Sequence, residues 1–280
     1  MSWERKSFVM ESETKRLGSI SQTQRTAKFI RRFLLSLVIG IWCLGFNSFA
    51  SAKEYDGIWF LGFNLQKAPF NNVRVRQAVA HCLNKDFIAS SIMSEEITPV
   101  SIIPPGMLGY DPELKPYKTN VSFAKSLMKK AKFPPITLLH TDGVKTVEIA
   151  ERIQQELRRL GMKIRLVQVS YRDQEKWNQE LSSKKYSLFL MGFKASHEKL
   201  LTDEAAAGIP DTAKLLEPLF IHAGEANFTG YSNPKVSLLF DQLSVISPAL
   251  ASERETRLNE INRFLYRELP VIVLFYIEKL

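Results

Sequence analysis

Residues 136–169 read ITLLHTDGVKTVEIAERIQQELRRLGMKIRLVQV, and their pattern decides the fold class. An apolar run at 136–140 predicts a strand, Asp142-Gly143 a turn, 146–160 a helix, Gly161 its C-terminal cap and 163–169 a second strand. Within the helix, Ile149, Ile153, Leu157 and Leu160 fall on one stripe, while Glu148, Glu151, Arg152, Glu156 and Arg159 are expected to face water. A strand, a crossing helix and another strand of this length are a β-α-β unit, so an α/β domain is expected around it.

The same alternation extends outward. Residues 57–65 (GIWFLGFNL) predict a buried strand, with a helix after Asn71-Asn72 carrying Val73, Val75, Ala78, Val79 and Leu83, and a short helix from Asn84-Lys85 through Met93. Residues 99–116, rich in Pro and Gly, read as an ordered loop, and a helix at 121–132 opens at Ser122 and ends in Lys129, Lys130 and Lys132. A helix at 173–183 leads to a strand at 186–192 (YSLFLMG), whose continuous hydrophobicity predicts a sheet covered on both faces. Helices at 212–220, 234–246 and 251–268 and a closing strand at 271–277 complete an α/β domain.

Composition narrows the function. Of 280 residues, 45% are hydrophobic and 24% charged, which is globular, and the net charge is +9. Residues 1–32 hold eight basic and three acidic side chains, so +5 of that charge lies in a leader and the rest of the chain has no long basic run. Nucleic-acid binding is therefore not expected. Behind Arg31-Arg32, residues 33–49 (FLLSLVIGIWCLGFNSF) are apolar and are followed by Ala50-Ser51-Ala52, the order of a secretory signal. Residues 1–52 are read as that signal, cleaved after Ala52 to leave 53–280 in the periplasm; the alternative is an inner-membrane anchor formed by 33–49. Bulky Trp42 before Cys43 argues against lipidation, and cleavage would leave Cys82 as a single thiol with no internal disulfide.

Catalytic and metal motifs are not recognised. His81 and Cys82 are neighbours on a helix and point apart, and Cys82 is expected in the core. His140, His197 and His222 lack ligand spacing, and no phosphate loop, nucleophile elbow or paired carboxylates are found, so neither an enzyme nor a cofactor is predicted.

One segment carries a family resemblance. Residues 60–93, FLGFNLQKAPFNNVRVRQAVAHCLNKDFIASSIM, contain an aromatic strand ending in Asn64, then Pro69, Val75-Arg76-Gln77-Ala78 and Asn84-Lys85. Further on come Pro104-Pro105-Gly106-Met107 with Gly109-Tyr110-Asp111-Pro112, then Ala124-Lys125-Ser126-Leu127-Met128, and Asn227-Phe228-Thr229-Gly230-Tyr231-Ser232-Asn233-Pro234. In this order they resemble the second lobe of family 5 extracellular solute-binding proteins, the peptide and nickel binders of ABC importers. The resemblance covers residues 59–278 and implies a single lobe of a type II periplasmic-binding-protein-like fold, with the first lobe absent from the chain.

The resemblance also implies a role and partners. Complete members close two lobes on a solute and dock on an ABC permease. This chain is expected to bind a peptide-like solute with a separately encoded first lobe, or to be a shortened gene product; the alternative is a periplasmic or membrane-tethered interaction module that has lost solute binding. The family's ligand strand corresponds to Gly192, Phe193, Lys194, Ala195 and Ser196. Ser196 stands where peptide binders carry a carboxylate for the peptide amine, and Lys194 adds positive charge, so an anionic group is the expected preference. Phe193 is expected either as a stacking wall or as core, and Asp203, Glu204 and Asp211 as solvated loop charges.

Overall fold

The computed structural model of the chain describes residues 53–95, 97–128, 133–195 and 212–279. Residues 1–52, expected to form an export signal, the lysines expected to end the 121–132 helix, Ser196, His197, Asp203, Glu204 and Asp211 lie outside these residues.

The β-α-β unit is present: β2 (Ile136–Thr141), α3 (Val144–Arg158) and β3 (Ile164–Val169), with the two strands parallel in the register Ile136↔Ile164. Gly161 takes φ +82°, a backbone conformation that a side chain would strain, and so turns the chain back from α3 into β3. The sheet has five strands in the order β3-β2-β4-β1-β5, where β1 is Tyr55–Phe63, β4 Leu188–Lys194 and β5 Val271–Glu278. β4 runs parallel to β2, whereas β1 is antiparallel to both β4 and β5, so the sheet is parallel in one half and antiparallel in the other.

Two separate cores explain the continuous hydrophobicity of the central strands. On one face Ile58, Phe60, Leu139, Phe189 and Val273 pack with side chains of four helices. These are Trp177 and Leu181 of α4 (Gln174–Ser182), Leu215 of α5 (Thr212–Phe220), Phe240 of α6 (Pro234–Ser244), and Leu258, Ile261 and Leu265 of α7 (Ala251–Glu268). On the other face Leu61, Phe63, Leu138, Leu190 and Leu274 pack against α1 (Val73–Cys82), α2 (Val121–Leu127) and the Ile149, Ile153 and Leu157 stripe of α3.

Helix starts follow local side chains. Asn72 accepts from Arg74 N, Asp173 from Lys176 N, and Asn233 from Lys235 N with Pro234 in the first turn. Three expectations need correction. Asn120, not Ser122, caps α2 by accepting from Phe123 N. The short helix after Asn84 is a π-helical turn, Phe87–Ile92, entered where Asn84 Oδ1 accepts from Phe87 N at 3.0 Å.

The third concerns Glu156, which is 1% exposed instead of facing water. Its Oε2 accepts from Asn84 N at 2.7 Å and its Oε1 pairs with Arg152 Nε at 2.6 Å. The helical wheel is right about the angle, but the end of α1 and the π-helical turn cover that edge of α3, and these bonds offset the desolvation of the carboxylate.

Candidate functional site at the end of β4

β4 begins and ends two residues later than its sequence pattern predicts, because β1 supplies antiparallel partners as far as Gly57↔Lys194. Gly192, Phe193 and Lys194 therefore belong to the strand, and their side chains alternate between its faces. Gly192 is exposed and lies opposite Trp59. A Cβ at Gly192 would stand 2.7 Å from Trp59 Cδ1, so the missing side chain is what admits the indole. Trp59 in turn stacks on Phe275, with centroids 5.4 Å apart and planes 12° from parallel.

Phe193 is half-buried on the other face and packs against the first core, while Ala195 is 3% exposed and donates its N–H to Asp56 O at 2.8 Å. Lys194 is committed within the lobe. Its Nζ lies 3.1 Å from Asp56 Oδ1 and donates to Glu278 O at 3.1 Å, and Asp56 is 1% exposed. The positive charge expected to favour an anionic ligand is thus matched by a carboxylate from the first strand. Ser196 lies outside the described residues.

Asp56 and Trp59 are the residues that sequence reasoning misses here. The pattern starts the strand at Gly57, and nothing local links Asp56 to a lysine 138 positions away. Because β2, β3 and β4 are parallel, the same rim of the sheet also holds Asp142, Val144 and Tyr171. Asp142 Oδ1 accepts from Tyr171 N at 2.7 Å, and that bond holds its carboxyl below the usual carboxylate range. Val144 and Tyr171 are 85% and 50% exposed.

The other candidates separate. Cys82 is buried, donates to Glu156 O at 3.2 Å, and has its thiol pushed up to about 11, chiefly by burial and then by Glu156. His81 instead places Nδ1 2.8 Å from Lys118 O and meets Tyr117 and Phe123 edge-on. Among the described residues, no group of three or more His, Cys, Asp or Glu side chains could hold a metal ion, and no helix is long and apolar enough to cross a membrane.

Three of the motifs that carried the family resemblance meet on α7. Arg76 donates to the carbonyls of Glu268 and Leu269, Tyr231 OH donates to Glu268 Oε2, and Asn233 Nδ2 donates to Glu268 Oε1 at 2.7 Å. Asp111 of the Gly-Tyr-Asp-Pro loop pairs with Arg263 Nε at 2.6 Å on the same helix. These contacts are structural and lie apart from the end of β4.

Comparison with known proteins agrees with this scaffold. The chain is 26% identical over 219 residues to the glutathione-binding protein GsiB of Pectobacterium atrosepticum, covering 75% of this chain and 40% of that protein. It is also 26% identical over 237 residues to the dipeptide-binding protein DppE of Bacillus subtilis, covering 79% and 40%. The chain thus spans about 40% of the length of these curated relatives. Among solved structures, HbpA2 from Haemophilus parasuis superposes with a TM-score of 0.68 at 22% identity, and the Escherichia coli murein tripeptide binding protein MppA with 0.68 at 17%. Each match covers 81% of this chain and 43% of the other, and establishes the fold. Residues 41–199 match the family model described as bacterial extracellular solute-binding proteins, family 5 Middle, and it is to this family that the chain belongs.

Proposed function

We propose that this chain is an exported, non-enzymatic solute-binding component of a peptide-type ABC importer, and that the end of β4 contributes one wall of its solute site. Residues 1–52 act as the export signal, cleaved after Ala52, and residues 53–280 work in the periplasm with an ABC permease. A first lobe carried on another polypeptide supplies the opposing wall. The observation that carries the reading is the end of β4, where exposed Gly192 lies against the Trp59 indole on one face of the strand and half-buried Phe193 stands on the other, on the lobe of a family whose named relatives bind peptides and glutathione.

The neutral Lys194–Asp56 pair shapes the ligand preference. With the lysine matched by a buried carboxylate, apolar and stacking contact outweighs charge recognition at this point, which suits a peptide side chain or backbone better than a free amine or a small anion. Thermal unfolding of the full chain with dipeptides, tripeptides and glutathione tests the reading, since a ligand held by the folded state raises Tm. A rise that Trp59→Ala reduces is expected; no rise with any peptide, with or without a co-expressed first lobe, overturns it.

A protein-interaction module that has given up solute binding is the second reading. Exposed Val144 and Tyr171 on the same rim favour it. It predicts an unchanged Tm with every small solute together with a loss of partner binding in Tyr171→Ala.

A further inference from the structure

The Asn84-Lys85 pair, which marks the family motif, has a chemistry that solute binding at β4 does not use. Lys85 is 6% exposed, and its Nζ donates to Pro99 O at 3.0 Å. An ammonium has three protons, and among the described residues this carbonyl is its one hydrogen-bond acceptor. Burial lowers the lysine to about 8, against the opposing pull of Asp86. The cation is therefore under-satisfied where it stands.

Lys85 also lies between two concavities. With Tyr117 it lines both a polar vestibule of about 440 Å³ and a small inner cavity of about 20 Å³. The other polar groups of the vestibule are largely engaged: Thr98 Oγ1 donates to Asp86 Oδ1 at 2.5 Å, and Tyr117 OH donates to Tyr266 O at 3.1 Å. Lys118, on the same wall, is exposed and makes no ion pair among the described residues. Two cations and one carboxylate leave the vestibule with a single net positive charge, while Pro116 and the Tyr117 ring add an apolar surface.

We infer that the Lys85 vestibule is a second ligand site that takes a small monocarboxylate, with the carboxylate received by Lys85 and Lys118 and a short hydrocarbon tail against Pro116 and Tyr117. A dianion would exceed the net charge of the wall and meet Asp86. The inner cavity beside the vestibule is lined by Val271, Ile272 and Val273 at the start of β5, where Val271 pairs with Gly62, whereas Gly192 pairs with Trp59 at the middle of β1. The site stands independently of the solute reading for β4.

The test is thermal unfolding of the full chain at pH 7 in sodium butyrate against sodium chloride at equal ionic strength, with inorganic phosphate as a second probe. Butyrate is expected to raise Tm by about 2 °C or more over chloride at concentrations well above its Kd, phosphate to raise it less, Lys118→Gln to shrink the butyrate shift and Lys85→Met to abolish it. Trp59→Ala should keep the shift, which separates this site from the end of β4. No shift over chloride, an equal shift with phosphate, an undiminished shift in Lys118→Gln, or a shift lost in Trp59→Ala would each overturn the inference, and the Lys118 variant decides the matter if Lys85→Met does not fold.

Discussion

Lys194 and Lys85 are both lysines drawn into the lobe, and they are treated in opposite ways. Lys194 reaches a carboxylate, Asp56, across the β1–β4 ladder and a carbonyl on β5. Lys85 is more deeply buried and has one carbonyl and no carboxylate within ion-pair distance among the described residues. The difference teaches where charge is available for a ligand: a cation already matched inside the fold has little left to offer, whereas an under-satisfied one favours an incoming anion.

The largest expected effect sharpens the Lys85 side of this comparison. Its folded value of about 8 lies below the ordinary 10.5, so between these limits the unfolded chain binds more protons than the folded one, and stability should rise with pH across that window. The gain relative to Lys85→Met should approach about 3 kcal/mol, measured by urea unfolding at pH 7.5 and 10.5. Identical pH profiles for the two proteins would show that Lys85 is not held as a desolvated cation.

Next comes the matched pair. Asp56→Ala should cost about 2 kcal/mol, because it strips Lys194 of its counter-charge at a partly buried position, and Asp56→Ala with Lys194→Met should recover part of that loss. Additive losses in the double-mutant cycle would break the comparison by showing the two side chains to be uncoupled. Gly192→Ala is expected to cost about 1 kcal/mol by pushing Trp59 off Phe275, with a change in tryptophan emission as its signature. The smallest effect on stability belongs to Tyr171→Ala, within about 0.5 kcal/mol as for other exposed substitutions, and a larger loss would mean that the rim is part of the core.

Much of the fold is legible because its signals are local. The β-α-β unit, Gly161, the stripe of α3 and the extents of α5 and α7 depend on residues a few positions apart, which periodicity and capping report. Glu156 departs from its expected place for the complementary reason: a helical wheel gives the angle of a side chain but not what packs over it, and α1 with the π-helical turn covers it. The candidate site is legible only in part. The family pattern locates Gly192 through Lys194, while their environment depends on Asp56 and Trp59, brought opposite them by antiparallel pairing.

By itself the sequence determined the α/β class, the order of helices and strands, the buried character of the sheet and the family, since each follows from short-range pattern or ordered motifs. Tertiary structure alone decided that β1 runs against its neighbours, that Lys194 is neutralised by Asp56, and that Lys85 borders a cavity with two protons to spare. The physical reason is distance along the chain: pairing and burial join residues that no local pattern relates, and it is pairing and burial that set the charge a site can present.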